Sequence, residues 1–213
     1  MLKKFLSGLL CVSMLLSLCS VSVFAGEVGS FEDVKKDDYF AEAVEWAVKE
    51  GIVKGTSETT FSPNEYCTYE QIMTMVWRAN GKPIVDKDSD AYDSDCRALT
   101  ENYSGEYFKD ALVWLSTKSW VDKYYAYVDE FPVVSSRLYA VRLLYHLTDL
   151  KDYTLSSIEF MNDLDNLKDY ELEAIAWAID EGITKGTSYN TFSPDAKCTR
   201  AQIVTFLYRA YAK

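Results

Sequence analysis

An arginine directly follows the predicted N-cap of the last helix in the chain. Thr199 is followed three residues later by Gln202, just ahead of an apolar run with helical spacing, and this order is typical of a capping box. Arg200 then occupies the first helical position, beside backbone amides that have no partner within the helix. A guanidinium next to such amides can bind a carboxylate, because both donate hydrogen bonds to an anion.

The same pattern occurs at two earlier positions. Ser136 precedes Arg137, whereas Thr68 precedes Tyr69, a residue that cannot neutralise an acid. A cation at a helix N-terminus is unfavourable on its own, since the helix dipole already places positive charge there. The arginines therefore require compensation, either by an anionic ligand or by an internal salt bridge to one of the 33 acidic residues.

The rest of the composition argues against catalysis. His146 is the one histidine, and no nucleophile, base and orienting acid form a recognisable motif. The cysteine spacing gives no metal signature. A net charge of −11 argues against a nucleic acid partner, which requires a basic surface. We therefore expect a binding protein that is not an enzyme and has neither cofactor nor metal.

An internal repeat organises the chain. Residues 51–79 and 182–210 align without a gap and are identical at 17 of 29 positions. A weaker copy lies between them, because residues 107–114 echo residues 39–46 and Ser136-Arg137 falls on the register of Thr68-Tyr69. The predicted boundaries are residues 1–25 for a signal peptide, 26–81 for repeat 1, 82–150 for a degenerate repeat 2 and 151–213 for repeat 3.

Each repeat is predicted to consist of a helix, an irregular loop and a second helix. In repeat 1, apolar residues recur at helical spacing from Phe40 to Val48, Gly51 ends this helix, and the second helix begins after Thr68. One such pair cannot bury its apolar faces, whereas three pairs around a common axis can. The predicted fold class is all-α, with three helix–loop–helix repeats in a pseudo-threefold bundle.

The N-terminus has the pattern of a secretory signal peptide. Lys3 and Lys4 precede an apolar run that ends at the small residue Ala25, and no later stretch is apolar enough to span a membrane. Three cysteines would remain after cleavage, which is no disulfide framework. Either free thiols or one disulfide is compatible with their spacing; these cysteines are Cys67, Cys96 and Cys198.

The repeat motifs resemble those of the S-layer homology family. Repeat 1 contains Phe31-Glu32-Asp33-Val34, Gly51-Ile52, Gly55, Phe61-Ser62-Pro63 and Thr68-Tyr69-Glu70-Gln71. Repeat 3 contains Asp163, Gly182-Ile183, Gly186, Phe192-Ser193-Pro194 and Thr199-Arg200-Ala201-Gln202. Repeat 2 has lost the glycines and the Phe-Ser-Pro turn, and both complete copies have glutamine where the family usually has glutamate.

The resemblance implies a three-repeat bundle whose grooves bind an anionic secondary cell-wall polysaccharide, often with pyruvylated sugars. It also implies that Arg200 and Arg137 meet the acidic sugar. The other groove positions implied for repeats 1 and 3 are Thr199, Gln202, Asp33, Asp163, Gly55, Gly186, Trp46 and Trp177.

Several of these residues also have a structural interpretation. The aspartates could bond to nearby backbone, and the glycines could supply backbone conformations closed to other residues. The tryptophans at equivalent helix positions could either stack on a sugar or pack in the core; they are Trp46, Trp114 and Trp177.

These observations predict a secreted protein that remains non-covalently on the cell wall. Its expected partner is the wall polysaccharide, with no membrane span after the signal is removed. The alternative is a surface protein–protein or S-layer assembly module whose glycan sites have decayed. Tyr69 and the degenerate repeat 2 motivate that alternative.

Overall fold

The computed structural model describes residues 31–118, 133–148 and 152–212 of the chain. These ranges contain helices and isolated backbone bridges but no extended strand, so the all-α prediction is confirmed. The predicted signal peptide, residues 1–25, lies outside the described residues. The helices are α1 (Ala41–Lys49), α2 (Tyr69–Ala79), α3 (Ser94–Asn102), α4 (Lys109–Ser116), α5 (Arg137–Leu147), α6 (Asp169–Asp180) and α7 (Arg200–Tyr211), with a short 3₁₀ helix at Leu155–Ile158.

Local sequence signals fix the ends of these helices. At the start of α7 the Thr199 hydroxyl accepts from the Gln202 amide at 3.3 Å, and the Gln202 side chain accepts from the Thr199 amide at 3.0 Å. The predicted capping box is therefore present. At the start of α5 the Ser136 hydroxyl accepts from the Tyr139 amide at 3.2 Å. Gly51 follows α1 with a φ of 66°, the left-handed conformation expected of a C-terminal glycine.

The alignment pairs α1, α4 and α6 as equivalent helices, and each of them packs against the second helix of the preceding repeat, whereas α3 is an additional helix of repeat 2 that packs on α4. Helix α4 lies against α2, α6 lies against α5, and α1 closes the circle by packing against α7. Apolar residues from α2, α5 and α7 meet at the centre. Among the described residues, no helix is long and apolar enough to cross a membrane. Each repeat thus buries its apolar faces only in combination with its neighbours.

A closed ring of three backbone hydrogen bonds surrounds the central axis. Its members directly precede the N-caps of α2, α5 and α7. The Cys67 amide donates to the Cys198 carbonyl at 2.9 Å, Cys198 to Ser135 at 3.4 Å, and Ser135 to Cys67 at 2.9 Å. The ring joins one aligned position from each of the three predicted repeats.

The cysteines of this ring are free, buried thiols, as is Cys96 in α3. Burial raises the pKa of the Cys67 thiol to about 12 and that of Cys198 to about 11, although the neighbouring guanidiniums of Arg200 and Arg137 act in the opposite direction. Both thiols are therefore protonated at neutral pH and favour the folded state only while they remain so.

We predict that the ring thiols make the fold sensitive to alkali. The pKa of each thiol is above its ordinary value of 9.0 in the folded state. The contribution of the two thiols to the unfolding free energy is therefore fully present below pH 9 and is lost as pH rises towards 11–12. By pH 10.5 each thiol should cost about 2 kcal/mol of unfolding free energy. Urea unfolding at pH 7.5 and 10.5 measures the loss in the wild type. The double variant Cys67→Ala, Cys198→Ala should show a smaller loss, and an equal loss in both proteins would contradict the assignment.

Candidate functional site

The guanidinium of Arg200 connects repeat 3 to the loop of repeat 1. Arg200 Nε donates to the Phe61 carbonyl at 3.0 Å and an Nη atom donates to the Lys54 carbonyl at 3.0 Å. The Arg200 Cζ atom also lies 4.7 Å from the centroid of the Phe61 ring. The side chain therefore lies across the boundary between two repeats.

Arg137 makes the corresponding connection from repeat 2 to the loop of repeat 3. Its guanidinium donates to the Thr184 hydroxyl, and to the Gly186 carbonyl at 3.4 Å. Its Cζ atom lies 5.1 Å from the Phe192 ring centroid and 4.9 Å from that of Phe206. Phe192 is the counterpart of Phe61, so the two arginines use the same contact surface in successive repeats.

The hydrogen-bond partners of the two arginines are neutral groups, and the carboxylates of Glu65 and Asp33 add to the compensation of Arg200. Only 7% of Arg200 and 4% of Arg137 is exposed, and burial lowers the pKa of each guanidinium below its usual value. The polar partners given above are carbonyl and hydroxyl oxygens, while phenylalanine rings offer their negative faces to the cation. These contacts supply the compensation for which the sequence suggested either an anionic ligand or an acidic side chain.

Tyr69 takes the place of the arginine in repeat 1. Its ring contacts that of Tyr139 edge to face, with 4.2 Å between the centroids. Its backbone amide donates to Val133 at 2.9 Å, as the Arg200 amide does to Glu65 and the Arg137 amide to Ala196. The backbone contact is thus common to three junctions, and Tyr69 replaces a charged side chain by an aromatic pair.

Asp33 and Asp163 hold the Phe-Ser-Pro turns. The two carboxylate oxygens of Asp33 accept from the amides of Phe61 and Ser62 at 2.8 and 2.7 Å. Asp163 accepts from the corresponding amides in repeat 3 at 3.0 and 2.7 Å. The serine of each turn has a positive φ of about 60°, which is costly for a residue other than glycine. The aspartates therefore stabilise a strained turn through backbone hydrogen bonds.

Gly55 and Gly186 allow the loop backbone to close on itself. A Cβ atom on Gly55 would lie 2.4 Å from the Ser57 carbonyl oxygen, and one on Gly186 would lie 2.4 Å from the Thr191 carbonyl oxygen. Gly186 also has a φ of 86°. No other residue fits either position without moving the backbone.

The equivalent tryptophans differ in their access to solvent. Trp177 is 1% exposed, and Trp114 is also buried. Trp46 is half-buried, with its ring centroid 5.8 Å from that of Tyr208 on α7. Of the three, Trp46 retains the surface that contact with a ligand would require.

A pair of exposed residues lies where α1 meets α7 and was not among the groove residues predicted from the sequence. Tyr39 is exposed beside the start of α1, within electrostatic range of Arg137 and of Arg209 on α7. Arg209 Nη1 donates to the Ile183 carbonyl at 2.9 Å, yet the residue as a whole remains exposed. Both positions recur in the repeat alignment, as Tyr107 and Arg78 in the preceding junction. We call the surface of Tyr39, Trp46, Tyr208 and Arg209 the α1–α7 groove.

The α2–α4 junction has a different charge. Glu70 is buried at a position that alanine occupies in repeat 3 and leucine in repeat 2. Burial, followed by the Glu70 carboxylate, raises the pKa of Tyr107 to about 12. A carboxylate beside the tyrosine opposes the approach of an anion to this junction.

In the part of the chain that the structure describes, no cluster of His, Cys, Asp and Glu could hold a metal ion.

We predict that Arg200 is required for stability. Arg200→Gln removes two hydrogen bonds from a charged donor and a contact with Phe61, so the unfolding free energy should fall by about 3 kcal/mol. Chemical denaturation measures this loss. Arg97→Gln on the exposed surface of α3 is the control and should change stability by less than about 0.5 kcal/mol. Equal stability of Arg200→Gln and the wild type would show that the buried contacts are unimportant.

Comparison with known proteins identifies two segments of the chain. Residues 30–73 and 161–204 each match the S-layer homology domain. No curated protein matches the chain. The matched segments contain the aspartate-held turn, the close-packed glycine and the capped start of the second helix, while the segment between them has no match. S-layer homology domains are in general non-catalytic modules that anchor proteins to cell walls by binding secondary wall polymers. These two segments, which together make up 88 of the 213 residues, are therefore similar to S-layer homology domains.

Proposed function

We propose that this protein attaches non-covalently to the cell wall by binding an anionic secondary polysaccharide in grooves between its repeats. The observation that carries the proposal is the α1–α7 groove, where Tyr208 contacts the half-buried Trp46 and the exposed Arg209 lies within electrostatic range of the exposed Tyr39. The two S-layer homology segments support the same function, since this family anchors proteins to walls.

The chemistry of the groove suits an acidic sugar. The planar guanidinium of Arg209 matches a carboxylate in two parallel hydrogen bonds, and a pyruvylated sugar carries such a carboxylate. The Tyr39 ring offers an apolar face to the sugar ring and a hydroxyl for one hydrogen bond. Because the whole chain is acidic, a local cation is needed for any anionic ligand to bind.

In this proposal Arg200 and Arg137 determine the shape of the grooves. Their guanidiniums are occupied by loop carbonyls, by a hydroxyl and by phenylalanine rings, which supports a positioning role. The remaining predicted groove residues of the loops and helix starts support the same framework through the backbone contacts described above. They are Thr199, Gln202, Asp33, Asp163, Gly55 and Gly186. Trp46 would contact the ligand, whereas Trp177 would support α6 from within the core.

The first test is co-sedimentation of the chain lacking residues 1–25, which lie outside the described fold, with purified cell walls. Half of the walls are first stripped of secondary polymers with hydrofluoric acid. We expect pelleting only with unstripped walls. Equal pelleting with both preparations would assign the binding to peptidoglycan or to nonspecific adhesion. No pelleting with either would refute wall binding and favour the surface-assembly alternative.

We predict that Arg209→Gln weakens binding to unstripped walls at least tenfold, because one charge-assisted contact to a carboxylate contributes about 1.5–3 kcal/mol. Arg78→Gln is the matched control. It removes an equivalent hydrogen bond, from Arg78 to the Ile52 carbonyl at 3.1 Å, in the junction that contains Glu70. Wall-binding isotherms of the two variants should separate them clearly. Similar affinities for Arg78→Gln and Arg209→Gln would rule out the α1–α7 groove as the anion site.

A further inference from the structure

Repeat 3 carries two exposed aromatic rings that point to a second carbohydrate site. Phe160 is 45% exposed and Tyr189 is 86% exposed, and their ring centroids are 5.5 Å apart with an angle of 32° between the planes. The two residues belong to different turns, one after the 3₁₀ helix and one at the tip of the repeat 3 loop. Exposure of two adjacent apolar rings to water is unfavourable, and such a surface is typical of a place where another molecule binds.

Both turns are held rigidly. Phe160 lies between the buried residues Ile158 and Met161, and the Met161 amide donates to the Ile158 carbonyl at 2.9 Å. The next amide, that of Asn162, donates to the Asn190 carbonyl at 3.1 Å and thereby ties the first turn to the second. The two backbone segments that carry the rings are therefore tied to each other, which lowers the entropic cost of binding.

Repeat 1 shows that folding does not require these rings. Its loop forms the same hydroxyl contacts, because Thr56–Ser62 and Thr187–Ser193 are both 2.6 Å long, as are Ser57–Thr60 and Ser188–Thr191. It also forms the same tie between turns, from the Glu32 amide to the Thr59 carbonyl at 2.8 Å.

The aromatic residues align with polar residues in the sequence of repeat 1. Tyr189 aligns with Glu58 of the loop, and Phe160 aligns with Ser30, which lies outside the described residues. The loop architecture is thus preserved with glutamate at its tip, so stabilisation of the loop does not account for Tyr189. The aromatic pair is an addition to repeat 3.

The rings border an open pocket of about 530 Å³. Ile179 and residues 184–188 form the rest of its lining, and among them Lys185 is exposed and carries a positive charge. This volume lies within the range of about 300–1,000 Å³ found for small-molecule sites. Flat apolar faces beside a polar backbone and one cation match a sugar, which has apolar C–H faces, a hydroxyl rim and, if acidic, a negative charge.

We propose that Phe160 and Tyr189 form a sugar-stacking subsite of repeat 3, which shares no lining residue with the α1–α7 groove and binds another residue of the wall polysaccharide. The proposal rests on the proposed function, since it assumes that this polymer is the ligand. The subsite would add a second point of contact along one chain, and two linked contacts bind far more tightly than either alone.

The test uses the polysaccharide that hydrofluoric acid releases from the protein's own cell walls. Titration calorimetry compares the wild type with Tyr189→Glu and Phe160→Ser, which introduce the residues of repeat 1 and so keep a loop sequence that already folds. Tyr189→Asn removes the ring without adding charge. Tyr66→Glu is the control, because Tyr66 is an exposed tyrosine elsewhere and its replacement adds the same negative charge.

We expect the three subsite variants to bind about tenfold more weakly than the wild type and Tyr66→Glu to bind as the wild type does. Ring-proton resonances of Tyr189 should also shift when the polymer is added. Wild-type binding with unchanged affinity in all three subsite variants would overturn the subsite and leave the proposed function standing. Absence of binding by the wild type would overturn both.

Discussion

The arrangement of the repeats depends on the burial of two guanidinium groups at helix N-termini. A cation at the start of α5 or α7 is repelled by the helix dipole and loses its hydration, so it must find acceptors in the interior. The loop of the next repeat supplies them as two carbonyls for Arg200, as a hydroxyl and a carbonyl for Arg137, and as phenylalanine rings for both. These acceptors are in place only when the loop is folded, so the interaction couples the folding of one repeat to the position of the next.

The loop features follow from this requirement. Carbonyls turned towards a guanidinium need a tight loop, and the loop needs a glycine where a Cβ atom would collide with backbone. The turn at Ser62 or Ser193 has a positive φ and is held by a carboxylate that accepts two amides. The aspartate, the glycine and the phenylalanine of each loop therefore serve one purpose, which is to present acceptors to an arginine from the neighbouring repeat. The contact of Tyr69 with Tyr139 lacks this charge, so the junction between repeats 1 and 2 depends on packing and backbone bonds.

The helices and their ends could be predicted because each is encoded locally, as Gly51 and the Thr199–Gln202 capping box show. The interior position of Arg200 could not, since its partners, Lys54 and Phe61, lie about 140 residues earlier in the chain. The sequence indicated correctly that the cation at the helix N-terminus needs compensation. Every residue has a backbone carbonyl, however, so residue types do not show which carbonyls accept from the arginine. Tyr39 and Arg209 were visible as repeated positions, yet their proximity arises only when α1 packs on α7, a contact between the two ends of the chain.

A motif that resembles a ligand site can thus also hold the architecture together, as Arg200 and Arg137 do through their contacts with the loops. The features shared by repeats 1 and 3 are those that hold the loops, and shared features must be compatible with every junction. Differences between repeats are free of that constraint. Glu70, whose counterpart in repeat 3 is Ala201, and the aromatic pair of repeat 3 both occupy positions at which the copies have different residue types. In a repeat protein with one common scaffold, specificity is therefore best sought where the copies disagree.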